Sequence, residues 1–369
     1  MDKSQHPAEK VVNQAAWMQK DTTNPLIVSE AEMPVPNDED IIIRNHAVAI
    51  NPVDWKIQAY PSFIGTFPFI LGEDVAGEVF QLGKNVTKFK QGDRVIAYVE
   101  DGSISLTLGS LTWWVGRSHL NQLLTQKTPD GGFQLYSRTP AIRAAKIPAS
   151  LSYVDGSVIP LALNTAAHGL YGTGEGFLAL PWPSLQPVDS GKTILVWGGS
   201  SSVGALAIQL AVGSGVKIVA VASGRNHAFV RSLGACDVVD YNASNVVEKI
   251  LKAVTSAGGA FAGIYDAIST AASFQYVLPV AEKLGTGNIA IVNPPPTSSV
   301  PSHIKFGNVI AVNDVSGPLW ESYIPAALEQ GQLRPAPEAL VIGEGLESIQ
   351  KGIDMSKAGV SARKVVVQL

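Results

Sequence analysis

The chain has 369 residues, more than one ordinary hydrophobic core accommodates, and at roughly 150 residues per domain it holds about two domains. Hydrophobic residues make up 46% and charged residues only 16%, with 35 Gly and 23 Pro, which excludes a disordered chain and describes a compact, loop-rich globular protein. The formal net charge is only −4 and no basic run stands out, so neither a nucleic-acid surface nor an anionic-membrane surface is indicated.

A single cysteine, Cys236, precludes an internal disulfide framework and a cysteine-rich zinc knuckle. Lying between Ala235 and Asp237, it reads as a small buried core residue at the start of a strand rather than a reactive thiol. Met1 to His6 lacks the apolar core of a signal peptide, and no stretch is long and apolar enough to span a bilayer, so a soluble cytoplasmic protein is expected.

The first third is β-rich. Ile41 to Ile50, Val75 to Gly83 and Arg94 to Val99 read as strands, with a Gly92-Asp93 turn before the third, and short strands of this kind suggest a small barrel or sandwich. From Gly102 to about Gly132 the pattern blurs, and the Trp113-Trp114 pair marks either a substrate-proximal insertion or a surface excursion. Tyr153 to Tyr171 is largely helical, broken by Pro160, and a Pro-rich connector runs from Leu180 to Pro187. Strands and helices then alternate: Thr193 to Trp197, Val203 to Gly213, Lys217 to Ala222, His227 to Leu233, Asp237 to Asp240, Val246 to Ala257, Gly263 to Ala267, Ala271 to Ala281 and Asn288 to Val292. Near-continuous apolar strands in such alternation indicate a parallel sheet covered on both faces. No internal repeat is visible.

The strand Thr193 to Trp197 turns at once into Gly198-Gly199-Ser200-Ser201-Ser202-Val203-Gly204 and an apolar helix. Such a junction gathers backbone N–H groups and the positive end of the helix, which suits a diphosphate. The Gly residues let backbone approach phosphate and helix pack on strand. A ligand-free Gly/Ser turn is the alternative. The next strand ends in Ser223-Gly224-Arg225-Asn226, where an NAD site usually carries an acidic residue for the ribose 2′-hydroxyl. A hydroxyl and a guanidinium instead suit a 2′-phosphate, with Tyr241 a further candidate, so NADPH is favoured; the alternative is that Arg225 only starts a solvated helix.

With Ala49 to Lys56, Leu71 to Val79, Gly92 to Val95, the Gly198 to Gly204 loop and Ser361 to Val367 in view, the chain resembles the medium-chain dehydrogenase/reductase superfamily over almost its full length. Within it the chain is similar to the zinc-free quinone and enoyl reductase branch, and most to fungal trans-acting enoyl reductases. The fold this implies is α/β, a Rossmann doubly wound parallel sheet plus a GroES-like β-rich catalytic domain. The implied division is 1–165 catalytic, 166–333 Rossmann NADPH-binding, and 334–369 returning to the catalytic domain, with Lys364 to Leu369 as a terminal strand. Zinc-dependent members hold metal with Cys and a Gly-His-Glu histidine, and the matching positions here are Asn51 and Glu73, so no metal site is expected.

The resemblance implies NADPH-dependent reduction of an α,β-unsaturated carbonyl, on a small enone or a carrier-bound polyketide with a polyketide synthase as partner. Quinone reduction is one alternative; a non-redox cyclase or binding protein on the same fold is another. Catalytic candidates are Asn51, Lys56 and Thr165. Asn51 would orient the nicotinamide ribose or polarise a carbonyl, or else serve only an Asn-Pro turn. Lys56 would donate a proton or steady an enolate, or else be a solvated strand-end lysine. Asp54 reads as structural, and His168 as a packed residue before an acid. Cofactor candidates are Asn51, Thr165, Gly198, Ser200, Ser201, Ser202, Val203, Gly204, Ser223, Arg225, Asn226, Tyr241, Ile268, Asn293 and Lys364, the last reaching a phosphate or ribose unless it is a surface residue. Trp113-Trp114 and Pro294 to Pro296 border the expected cleft, and Val309 to Val312 is the strand through which a homodimer would form if the protein is not a monomer.

Overall fold

A computed structural model of the chain describes residues 11–20, 23–60, 67–99, 130–297 and 300–369. The Trp113-Trp114 pair and most of the 102–132 stretch lie outside the described residues. Three sheets organise the rest. Ile27–Ala31, Asn13–Met18 and Phe69–Ile70 form a small antiparallel sheet. A seven-stranded sheet runs Glu338–Glu344, Arg363–Gln368, Asp40–Ala49, Asp74–Leu82, Arg94–Tyr98 and Ala144–Lys146, with Tyr136–Pro140 also paired to Asp40–Ala49. The six-stranded sheet is parallel throughout, in the order Asp237–Asp240, Lys217–Ala222, Lys192–Trp197, Ala260–Asp266, Asn288–Ile291 and Lys305–Asn308. Numbered along the chain, that order is 3-2-1-4-5-6, the doubly wound Rossmann arrangement.

The helices follow from their apolar patterns. Ser202–Gly213 is apolar on nearly every face, and only a buried position satisfies such a helix; Ala205 through Ala211 are all buried. It packs beside Pro160–Tyr171 on one face of the parallel sheet. On the other face Val246–Ala257 is amphipathic and buries Val246, Ile250, Ala253 and Val254, one stripe at helical spacing. Pro160 starts a helix rather than breaking one: it sits in the first turn, where its missing N–H costs nothing. The preceding turn, Tyr153–Gly156, is a separate short helix capped by Ser152 Oγ, which accepts from Asp155 N at 3.0 Å.

The last strand, Arg363–Gln368, pairs antiparallel with Asp40–Ala49 and parallel with Glu338–Glu344. The end of the chain therefore completes the sheet of its first third and carries residues 361–364 back to the junction of the two large sheets.

Several sequence expectations differ in detail. The fourth parallel strand begins at Ala260 rather than Gly263, because a bulge at Phe261/Gly263 breaks the apolar pattern. Gly263 has φ +144° there, and a Cβ on it would come within 2.6 Å of Leu178. Helix Ala271–Leu284 continues three residues beyond Ala281 and ends at Gly285, whose φ of +67° closes it. Val309 to Val312 is not the sixth strand. That strand is Lys305–Asn308, and beyond it the backbone turns aside where Ile310 N donates to His168 Nδ1 at 3.1 Å. Cys236 is exposed rather than buried: it precedes the edge strand Asp237–Asp240, and its Sγ donates to Ile218 O at 3.1 Å. No helix among the described residues is long and apolar enough to cross a membrane.

Trp320 braces this assembly. Its side chain is fully buried in the core shared with helix Pro160–Tyr171, and its Nε1 donates to Asn164 Oδ1 at 2.7 Å. Trp320→Ala is expected to lower the unfolding free energy by about 3–5 kcal/mol, read from urea denaturation. A loss below about 1 kcal/mol would show that the helix is held by other contacts.

Candidate active site

The strand Lys192–Trp197 ends at Gly198, where φ is +78°, and the chain reverses into a helix within four residues. Gly198 N and Gly199 N both donate to Val221 O at 3.0 Å, so the turn is tied to the neighbouring strand. Ser201 caps the helix, its Oγ accepting from Gly204 N at 3.0 Å. A Cβ on Gly204 would collide with the Gly198 carbonyl oxygen, so only glycine lets the helix start this close to the strand. The first helical N–H groups have no intrahelical acceptor and, with the helix dipole, form a site suited to a negative group.

Two cavities open from this turn, and Ser201 and Ile268 line both. The first, about 530 Å3, is lined by Gly198, Ser200, Ser223, Arg225, Asn226 and Tyr241 among others. Arg225 is exposed at its rim, while Ser223 is buried at the strand end. Asn226 Nδ2 bridges Ser200 Oγ at 3.1 Å and Ser361 Oγ at 3.3 Å, joining the turn to the C-terminal segment across the groove. Tyr276, stacked on Trp197 with ring centroids 5.4 Å apart, completes one wall.

The second cavity, about 370 Å3, lies between the two large sheets and is mostly apolar: Val53, Leu161, Val203, Val292, Pro294, Val309 and Ala311 surround a few polar groups. Those groups are Asn51, Lys56, Glu73, Thr165, Ser201, Ser202 and Asn293. Lys56 lies on the helix Pro52–Ala59, not at a strand end, and is half-buried. Its ammonium donates to Asn293 Oδ1 at 2.8 Å, and Asn293 Nδ2 donates to Ile268 O at 2.8 Å. Burial pushes the Lys56 ammonium below the usual lysine range. The turn carrying Ile268 is set by Asp266, whose buried carboxylate accepts from Ile268 N at 3.0 Å, Ser269 N at 2.8 Å and Ser273 Oγ at 2.6 Å. Thr165 Oγ1 is turned back to Leu161 O at 2.7 Å, and its own carbonyl accepts from Tyr265 OH at 2.8 Å.

The floor of this cleft is built by Asn51. Asp54 Oδ2 accepts from Asn51 N at 2.7 Å and fixes the turn into the helix, the structural part the sequence suggests for it. The Asn51 side chain donates through Nδ2 to Asp74 Oδ2 at 2.8 Å and accepts from Lys364 Nζ at Oδ1. Lys364 lies 3.0 Å from Asp74 Oδ2, and Leu161 N donates to Asp74 Oδ1 at 2.6 Å. Burial raises the Asp74 carboxyl, and Lys364, Asn51 and Leu161 N pull against that rise. Gly72 turns with φ +96° beside Phe133 and sets Glu73 and Asp74 in this wall.

The sequence candidates thus gather around the two cavities with three exceptions. Gly204 lies just behind the turn, where its missing Cβ lets the helix start close to the strand. Lys364 lines neither; its ammonium faces Asn51 and Asp74 rather than a phosphate or ribose. His168 accepts from Ile310 N and packs on Phe177, with ring centroids 4.7 Å apart, as a packed residue does. Asp74, Leu161, Ser361 and Tyr276 belong to these sites without having been candidates. Only Asp74 had a local signal, its place in Gly72-Glu73-Asp74; the others arrive through tertiary packing.

Residues 37–149 match the family described as alcohol dehydrogenase GroES-like domain, and residues 202–316 match zinc-binding dehydrogenase. The chain is 39% identical to dehydrogenase orsE of Emericella nidulans, over 97% of this chain and 99% of that protein. It is likewise 39% identical to trans-enoyl reductase himH of Aspergillus japonicus, over 97% of this chain and 98% of that protein. An alcohol dehydrogenase superfamily protein from Novosphingobium aromaticivorans shares the fold with a TM-score of 0.71 at 22% identity, covering 97% of this chain and 99% of that one.

Because the helix start tolerates no Cβ at position 204, Gly204→Ala is expected to weaken binding of a nicotinamide dinucleotide at least about tenfold. Titration followed by the fluorescence of Trp197 in the groove reads this, and unchanged affinity in the folded variant would remove the turn from the binding site.

Proposed function

The chain belongs to the medium-chain dehydrogenase/reductase superfamily, an oxidoreductase with a nicotinamide cofactor, and on that premise we propose that it reduces the activated double bond of an α,β-unsaturated carbonyl compound with NADPH. The observation that carries this reading is the half-buried Lys56 ammonium, held on Asn293 in a mostly apolar cleft that adjoins the groove beyond the glycine-rich turn.

The preference for NADPH rests on the groove. Ser223 and Arg225 stand at the end of the second parallel strand, where a carboxylate would repel a 2′-phosphate and a guanidinium binds it through charge-assisted hydrogen bonds; Asn226 and Tyr241 flank them. The Gly198 to Gly204 turn, with Ser200, Ser201, Ser202 and Val203, would hold the diphosphate. Thr165, Ile268 and Asn293 would border the nicotinamide.

Zinc does not fit the residues at this site. Asn51 and Glu73 stand where the metal-binding relatives have Cys and His, the Asn51 amide is occupied by Lys364 and Asp74, and a buried ammonium adjoins them. Among the described residues, no three His, Cys, Asp or Glu side chains converge on a metal position. A reduction without a Lewis acid favours a conjugated acceptor, in which charge spreads into an enolate.

A nicotinamide cofactor bound in the groove would supply hydride for the β-carbon. Lys56 then serves the α-carbon: its ammonium steadies the enolate and gives up a proton, while Asn293 fixes where that proton is presented. Asn51 offers its remaining amide N–H to the substrate carbonyl or the ribose. The apolar walls exclude water and accept a hydrocarbon chain. The trans-enoyl reductase among the relatives extends the reading to a carrier-bound polyketide thioester, with a polyketide synthase as partner.

An NADPH-consumption assay against enones, quinones and carrier-thioester mimics tests the reading: turnover is expected with the enone or thioester, and turnover of quinones alone would overturn it. Arg225→Ala is expected to raise the KM for NADPH roughly ten- to hundredfold and leave that for NADH within about twofold; equal effects on both would remove the 2′-phosphate contact. Chelators are expected to leave activity unchanged, and inactivation by chelation would restore a metal. Because Lys56 acts as the ammonium, activity is present at low pH and lost as pH rises through its pKa. Burial places that alkaline limb below the roughly 10.4 of a free lysine, and Lys56→Arg should abolish it; a pH–rate profile with the limb unchanged in that variant would exclude Lys56 as the donor.

A further inference from the structure

The proposed chemistry leaves one group at the cleft floor without a part in it. Lys364 and Asp74 are both side-chain buried, 4% and 0% exposed, and their charges lie 3.0 Å apart. Exchanging such a pair for packed apolar residues is commonly neutral or stabilising, so folding alone gives little reason for it. What the pair does hold is Asn51: the ammonium donates to Oδ1, and the carboxylate accepts from Nδ2 at 2.8 Å. An amide rotated by half a turn would face oxygen to carboxylate and N–H to ammonium. Two opposite charges therefore allow the amide a single orientation, with its second N–H left for whatever enters the cleft that Asn51 lines.

The register of the last strand places the ammonium there. Val366 pairs with Ala49, Val367 with Val48, and Ile50 N donates to Val365 O at 2.9 Å. A slip of one residue would turn Lys364 to the opposite face of the sheet.

We infer that Lys364, held on Asp74, is a positioning residue for the reduction: it fixes the Asn51 amide at the cleft floor so that the incoming substrate carbonyl meets a preset hydrogen-bond partner. This role stands only if the cleft is the reductase site proposed above.

The test removes both charges together, Lys364→Met with Asp74→Asn, so that neither is left buried and unpaired. In the folded double variant kcat is expected to fall roughly ten- to hundredfold, the cost of a misplaced site group, while the Kd for NADPH stays within about twofold. In an Asn51→Ser background the same pair change is expected to cost no more than about twofold further, because Lys364 works through Asn51. Full kcat, fully additive losses, or a rise in NADPH Kd that matches the fall in kcat would each overturn the role, the last by putting Lys364 on the cofactor. Should the double variant not fold, Lys364→Arg is read instead. Its charge stays beside Asp74 while its planar fork, on a different stem, moves the donor off Oδ1, so the same fall in kcat at unchanged Kd is expected and full kcat overturns the role. A wild-type chain that neither binds nor consumes NADPH overturns the reductase reading and this role together; wild-type turnover with an indifferent pair overturns this role alone.

Discussion

The start of the helix Ser202–Gly213 against the strand Lys192–Trp197 governs the geometry of everything around it. The helix is apolar on nearly all sides and is stable only when buried, which presses it onto the sheet and into the helix Pro160–Tyr171. So close a start leaves no space for a Cβ at Gly204 and bends the backbone to positive φ at Gly198. The same closeness aims the unpaired helix N–H groups at the point from which both cavities open. Packing of the core and the anion-binding character of the turn are one constraint seen from two sides.

On either side of that turn the cavities differ in character. The groove beyond Ser223 is rimmed by Arg225, Asn226 and Tyr241 and suits phosphate and ribose; the cleft beyond Val203 is walled by hydrocarbon and holds Lys56, Asn51 and Asn293. At the floor of the cleft the Asn51 amide is held between the buried Lys364 and Asp74 charges. On the function proposed above, Lys56 would give a proton as well as a field, which suits an enolate better than an alkoxide.

The parallel half was legible in the sequence because its strands and helices are each announced locally: Thr193 to Trp197 is continuously apolar, Gly198 to Gly204 is a glycine-rich turn, and Val246 to Ala257 repeats at helical spacing. Elements shaped by tertiary contacts were less so. The bulge at Gly263 answers to Leu178 and Asn288, and the end of the last parallel strand answers to His168, partners far away in the chain. The exposure of Cys236 follows from its strand lying at a sheet edge, which composition does not reveal. At the site, Asn51, Lys56 and Arg225 stood out by residue type and motif. That Lys56 meets Asn293 depends on the packing of the two large sheets against each other, and that Lys364 meets Asp74 depends on the chain's return to its first sheet, contacts between distant parts of the chain that no local pattern encodes.

On the function proposed above, the turn from Gly198 to Gly204 holds the diphosphate of NADPH and the end of the next strand its 2′-phosphate. A crystal structure of the chain grown with NADP+ tests it most directly. The diphosphate is predicted against the N–H groups that open the helix Ser202–Gly213, and the 2′-phosphate within hydrogen-bond distance of Ser223 or Arg225. A dinucleotide seated elsewhere, or a groove filled by the protein's own side chains, would contradict it.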